Sequence, residues 1–320
     1  MKNFRGIFAA AILYITAATA LGAEYLIPGG QVIGLELQDN TVTIAAFEDH
    51  LGNVAQEAGL KEGDQILRIN DTKIHSAEDV RKVLLCSRGR VDICVLRKGK
   101  TKTLSMTPSA TSDGPKLGVY LKQGTTGVGT VTYYRTDSDD FAALGHGVNT
   151  KNGNLLSMSD GNVYAARVNG VTKGIAGTPG QLLGVLTELT PIGTLSRNTA
   201  QGVFGNVPAP TNAKALPVAD PEEVHTGAAT IRSTVDGSAL REYSVEILKI
   251  YPNNTSRTRN MLIQVRDPNL LKTTGGIVQG MSGSPIIQDG KLVGAVTHVL
   301  VNDPTTGYGI FIENMLDAAA

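Results

Sequence analysis

Tryptophan is absent from this sequence, aromatic residues make up only 5% of it, and 29 Lys and Arg are balanced by 29 Asp and Glu. A chain without net charge offers no field to draw in a phosphate backbone or an anionic membrane surface. Without interleaved aromatic and basic residues it also has no platform on which bases could stack. Nucleic acid is therefore set aside as a partner. Cysteine is nearly as scarce, since Cys86 and Cys94 are the whole complement. Two thiols in one small domain are expected to be buried and reduced rather than a disulfide framework. The five histidines, His50, His75, His146, His225 and His298, are dispersed, with no H-E-x-x-H spacing and no paired cysteines beside them. No metal centre and no cofactor is expected.

Long apolar runs are also lacking, with one exception. After Met1-Lys2-Asn3-Phe4-Arg5 comes an uncharged stretch from Gly6 to Ala23, with small residues at Ala18, Ala20 and Ala23. A basic start, an apolar centre and a small-residue exit read as an export signal cut after Ala20 or Ala23. The length also suits an uncleaved anchor, and a buried core helix is the plainer alternative. Both export readings set residues 1–23 apart and put the bulk of the protein across a membrane.

What the chain has in quantity is glycine, 37 in 320 residues, together with many short β-branched runs. This composition predicts a turn-rich, mostly β protein, and the length predicts two domains. In the first, the run Ala58-Gly59-Leu60-Lys61-Glu62-Gly63-Asp64-Gln65-Ile66-Leu67-Arg68-Ile69-Asn70 sets a glycine turn before an alternating strand. Ser76 then caps a helix with Glu78 and Asp79 in its first turn and Val80, Val83 and Leu84 on one face. A hairpin follows, turning at Arg97-Lys98-Gly99-Lys100. Strand, helix and hairpin in this order resemble a PDZ domain of the kind attached to bacterial proteases, over residues 24–108. In such domains a peptide adds as a strand beside the helix, its carboxylate held by a backbone loop. The resemblance maps that loop to about Gln31-Val32-Ile33-Gly34-Leu35, with Val80, Val83 and Leu84 opposite; the same apolar residues would serve equally as core. Residues 109–115, small, polar and proline-bounded, read as a linker.

Residues 116–320 are a succession of short β runs. Asp160-Gly161, Asp236-Gly237 and Asp289-Gly290 each stand between strand-like segments, predicting hairpins of an antiparallel sandwich or barrel. Helix is expected only near Glu313 to Ala319. Within this region Gly280-Met281-Ser282-Gly283-Ser284-Pro285 puts a serine between glycines on a tight turn. The N–H groups of Gly280 and Ser282 could there form an oxyanion hole. The spacing is not a G-x-S-x-G nucleophile elbow, because Ser284 stands where glycine is needed. A bare glycine-serine turn between strands is the plainer reading.

A serine nucleophile needs a base, and the base needs a group to fix its tautomer. His146, in Ala143-Leu144-Gly145-His146-Gly147, has small neighbours that leave its ring accessible. His298 stands on a strand close to the serine, and alternation leaves open whether it faces core or solvent. Asp267 ends a strand just ahead of the serine turn and is the candidate acid. Asp160, Asp236 and Asp289 are better explained by their turns.

Taken together, these segments resemble the SpoIVB peptidase family of spore-forming bacteria, over residues 25 to 318. The stretches that carry the resemblance are Tyr25-Leu26-Ile27-Pro28-Gly29-Gly30-Gln31, Ala143-Leu144-Gly145-His146-Gly147, Ile192-Gly193-Thr194, Gly202-Val203-Phe204-Gly205, Thr274 through Pro285, and Gly294 through Gly309. The resemblance implies a PDZ domain followed by a chymotrypsin-like antiparallel β-barrel peptidase. It implies Ser282 as nucleophile, His146 as general base and Asp267 as orienting acid. One departure is that Asn149-Thr150-Lys151 stand where an acidic residue is expected shortly after the His-Gly pair. The family's biology would make this a protease exported into the space between forespore and mother cell. There it would cleave itself and then the extracytoplasmic part of a membrane-bound inhibitor complex, releasing an intramembrane protease that matures sigma-K. The competing expectation is a non-catalytic PDZ-containing scaffold with an inactive peptidase-like domain. The joint presence of serine, histidine and an eligible aspartate argues against it.

Overall fold

A computed structural model describes residues 24–150, 153–254 and 257–320; the expected export segment, residues 1–23, lies outside them. Among the described residues no helix is long and apolar enough to cross a membrane. Strands dominate. The first half of the chain runs β1 (Tyr25–Pro28), β2 (Val32–Phe47), α1 (Gly52–Glu57), β3 (Gln65–Ile69), β4 (Thr72–Lys73), α2 (Ala77–Cys86), β5 (Val91–Arg97), β6 (Lys100–Met106), β7 (Ser109–Thr111), β8 (Gly114–Lys116) and β9 (Val119–Arg135). Thereafter come β10 (Asp140–Ala143), β11 (Met158–Thr172), β12 (Gln181–Thr199), β13 (Gly202–Asn206), β14 (Leu216–Pro217), β15 (Gly227–Thr234), β16 (Leu240–Ile250), β17 (Met261–Val265), α3 (Pro268–Thr274), β18 (Pro285–Gln288), β19 (Lys291–Leu300), β20 (Asp303–Phe311) and α4 (Ile312–Ala319).

The PDZ unit forms as its local signals dictate. The Ser76 hydroxyl accepts from the Asp79 N–H while the Asp79 carboxylate accepts from the Ser76 N–H, a reciprocal cap that starts α2. Lys98 and Gly99, at φ 50° and 75°, close the β5–β6 hairpin in the left-handed geometry that matches strand twist. The core beneath holds Val42, Ile44, Ile66, Ile69, Val80 and Ile93, each such side chain contributing about 1.5–3 kcal/mol when fully buried. Asp64 is wholly buried, and its carboxylate takes the Arg97 guanidinium in two contacts of 2.6 Å. Burial pushes the Asp64 pKa up, but the Arg97 bonds and the Lys61 N–H together hold it below the usual value. Cys86 is exposed and Cys94 buried, both as free thiols.

Two antiparallel barrels make up the rest. One ring of pairings runs β2–β9–β10–β13–β12–β11 and back to β2. The other closes as β15-β16-β17-β20-β19-β18. The Asp289-Gly290 and Asp236-Gly237 turns are where they were expected, between β18 and β19 and between β15 and β16. Asp160-Gly161 is not a turn: it lies inside β11, where a side chain on Gly161 would stand 2.7 Å from the Glu36 carbonyl of β2. The glycine there serves close strand approach, which sequence cannot tell from a turn. Helix α3 was also unanticipated.

The domain borders differ from the expected ones. Residues 32–37 of β2 pair with β9 and β11 inside the first barrel, whereas Val42 and Thr43 pair with β3 in the PDZ unit. The N-terminal end of β9 likewise pairs with the PDZ half of β2, and the rest of β9 belongs to the barrel. The PDZ unit is thus inserted into the first barrel on two continuous strands. Residues 109–115 are not a free linker: β7 and β8 pair into a hairpin, and β8 lies against α2. Gly114, at φ 107°, makes that reversal possible.

Candidate functional site

The cleft between the barrels, about 520 Å³, is lined by Leu35, Val128, His146, Gly280, Ser282 and His298, among others. Ser282 lies on the connection from α3 to β18. Its neighbour Gly283 adopts φ 97°, and a side chain there would meet the Thr130 carbonyl at 2.1 Å and the Leu144 N at 2.5 Å. Only glycine lets this turn of the second barrel lie against β9 of the first. Thr130 clamps the contact, its Oγ1 donating to the Gly280 carbonyl (2.7 Å) and its N–H to the Ser282 carbonyl (3.2 Å). The N–H groups of Met281, Gly283 and Ser284 are taken by carbonyls of Val278, Val296 and Met281. Those of Gly280 and Ser282 donate to no group among the described residues, so both remain for an oxyanion.

His146 follows β10 across Leu144 and Gly145, both left-handed at φ 73° and 66°. A leucine in that region is strained, and the strain sits where the ring is aimed into the cleft. The ring Nδ1 lies 3.0 Å from the Gly147 carbonyl. A carbonyl can only accept, so Nδ1 carries the proton and Nε2 keeps its lone pair. Burial lowers the His146 pKa below its ordinary 6.5, outweighing the opposing Gly147 bond, and keeps the ring neutral. Ser282 Oγ donates to the Thr297 carbonyl at 2.7 Å.

His298 is brought to the same cleft by an irregularity. Val296 pairs with Gly309 but His298 with Tyr308, so Thr297 is the extra residue of a bulge in β19 that re-aims the strand. The ring centroids of His298 and His146 are 5.0 Å apart. Sequence alternation alone could not place this side chain, because the bulge breaks the period.

Asp267 is not brought to the pair. It is the N-cap of α3, its Oδ1 accepting from the N–H groups of Asn269 (2.9 Å) and Leu270 (3.0 Å), with Pro268 at the first helical position. It lines a separate polar hollow with Arg241 and Lys272. A strand-ending Asp-Pro is equally the signature of a capped helix, and that role claims it here.

The expected peptide groove also moves. Ile33, Gly34 and Leu35 sit in β2 within the first barrel, paired with β9 and β11, so they form no carboxylate loop beside α2. The hollow beside α2, about 450 Å³, is lined by Val80, Leu84, Leu117, Gly118, Val119 and Leu121. Val83 is absent from that lining and packs against the PDZ core. The signal missed in the sequence is Leu117-Gly118-Val119, an apolar-glycine-apolar run whose Gly118 takes φ 72°. It lies just beyond the segment read as linker.

Comparison with known proteins adds the following. The family model for the SpoIVB peptidase S55 matches residues 113–316, and a PDZ domain model matches residues 32–107. Serine protease Do-like HtrB of Bacillus subtilis (strain 168) is 37% identical over 84 residues, 22% of this chain and 18% of that protein. The chain therefore spans less than a fifth of that relative's length. Among solved structures, Rv3671c protease in an inactive form shares 16% identity at a TM-score of 0.35, covering 59% of this chain and 81% of that one. A serine-to-alanine mutant of Rv3671c from M. tuberculosis shares 15% at 0.31, covering 59% and 78%.

Proposed function

Because the chain belongs to the SpoIVB peptidase S55 family, we propose that it is a serine endopeptidase whose nucleophile is Ser282 and whose general base is His146. The observation that carries this reading is the convergence, in one apolar cleft, of a serine hydroxyl, a neutral imidazole and two uncommitted N–H groups. In the described arrangement the hydroxyl rests on the Thr297 carbonyl. Reaction requires it to turn to His146 Nε2, give up its proton there and attack the scissile carbonyl. The tetrahedral oxyanion is then received by the N–H groups of Gly280 and Ser282, and the imidazolium returns the proton to the leaving amine. Water reverses the sequence to release the acyl group.

The PDZ unit supplies recognition in this reading. A peptide or chain terminus adds to the edge of β9 facing α2, between Val80 and Leu84 on one side and Val119 and Leu121 on the other, with its carboxylate at Leu117-Gly118. The family and the export-like N-terminus support the finer assignment. It is a regulatory protease acting between forespore and mother cell on itself and on the extracytoplasmic segment of a membrane-bound inhibitor complex, so that sigma-K is matured.

Purified full chain is expected to trim its own N-terminal region and to be labelled by a fluorophosphonate. Ser282→Ala and His146→Ala are each expected to lose activity by about 10⁴-fold or more, since members of one catalytic unit act non-additively. Equal self-processing by Ser282→Ala and the natural chain, measured by mass spectrometry, would sink the assignment.

A further inference from the structure

The site has a nucleophile and a base but no acid. Every Asp and Glu of the chain lies within the described residues. None lines the cleft, and neither His146 nor His298 has a carboxylate partner. What stands beside His146 instead is the second imidazole, with ring centroids 5.0 Å apart and planes inclined by 39°. Face-to-face stacking would bring rings closer. At the observed separation the two rings make a tilted contact. Because two imidazoles joined through an N–H···N bond of about 2.9 Å also have centroids about 5 Å apart, such a bond needs ring rotation and no approach of the backbones. His298 Nδ1 is also buried without a hydrogen-bond partner among the described residues. An orphaned polar atom of this kind is costly to bury, and one at a reactive centre calls for a partner acquired during the reaction.

From this geometry we infer that His298 is the positioning residue of the catalytic unit, accepting the His146 Nδ1–H where other serine peptidases present a carboxylate. The inference rests on the assignment of Ser282 and His146 given above. In the described arrangement both mobile protons rest on backbone carbonyls, Ser282 Oγ–H on Thr297 and His146 Nδ1–H on Gly147. Two side-chain rotations convert this into a relay. Ser282 Oγ–H turns to His146 Nε2, and His146 Nδ1–H turns from Gly147 to the vacant His298 Nδ1. When the serine attacks, its proton passes to His146 Nε2, the charge forms on His146, and His298 stays neutral and holds the imidazolium in plane.

An acceptor must be unprotonated, and the surroundings ensure it. Burial first, then the neighbouring His146 and Arg259, push His298 down to about 4. Arg259, over the Tyr308 ring at 5.2 Å, is the cation whose charge reaches His298, and among the described residues no charged side chain lines the cleft.

The test is the rate of labelling of the full chain by a small fluorophosphonate as a function of pH. It requires no knowledge of the natural substrate. His298→Phe keeps an aromatic ring but no acceptor and is expected to label about 100-fold more slowly. His298→Gln retains a carbonyl acceptor and is expected to recover to within about tenfold of the natural chain. Labelling of His298→Phe at the natural rate would overturn the inference. Undiminished labelling of Ser282→Ala would instead overturn the assignment on which it rests. A readout independent of variant folding is the ¹⁵N imidazole spectrum of the Ser282→Ala chain. His298 is expected to be neutral at about pH 6 with Nδ1 unprotonated, and a protonated His298 there overturns the inference as well.

Discussion

The two barrels close with the same number of strands but are assembled differently. The second is drawn from one continuous stretch, Gly227 to Phe311, and supplies both Ser282 and His298. The first is split by the PDZ insertion, shares β2 and β9 with it, and supplies His146. The difference shows where cooperativity should lie. Damage to the PDZ core reaches the first barrel through two continuous strands, whereas the second barrel packs against the first through contacts such as Thr130 with Gly280 and Gly283, and the paired backbone of Val168 and Gly237.

The sharpest way to break this comparison is Asp64→Ala, which leaves Arg97 uncompensated in a largely buried site. A loss of about 3–5 kcal/mol is expected. By hydrogen exchange, protection should fall in the PDZ unit and in residues 125–135 of β9, while β15 to β20 keep theirs. If β9 kept full protection, the shared-strand picture would fail. Gly283→Ala attacks the junction instead. A left-handed alanine whose Cβ overlaps the Thr130 carbonyl should cost about 3 kcal/mol in urea unfolding. A neutral result would mean that the barrels are not held by this contact. The smallest effect is expected from Asp267→Ala. Loss of the α3 cap should cost about 1 kcal/mol, with fluorophosphonate labelling changed by no more than about threefold. A collapse of labelling at unchanged stability would restore Asp267 to the catalytic unit and remove His298 from it.

Much of this was legible beforehand because the signals are local. The Ser76 cap, the Lys98-Gly99 turn and the Asp289-Gly290 turn depend on a few adjacent residues whose backbone preferences are intrinsic. The Gly280 to Pro285 turn was legible for the same reason. Gly161 and Asp267 were misread because each pattern has two uses: glycine for a turn or for close approach, Asp-Pro for a strand end or a helix cap. Ile33, Gly34 and Leu35 were misassigned because β2 serves two units, and composition does not change where one strand passes between them.

By itself, then, the sequence determined that the chain is mostly β, that a PDZ unit comes early, and that Ser282 and His146 have backbones suited to reactive side chains. Only the tertiary structure decided what accompanies them. Which imidazole or carboxylate stands next to His146 depends on a bulge at Thr297 and on the docking of two barrels across Thr130. Those contacts join residues about 150 positions apart, and no local preference specifies them.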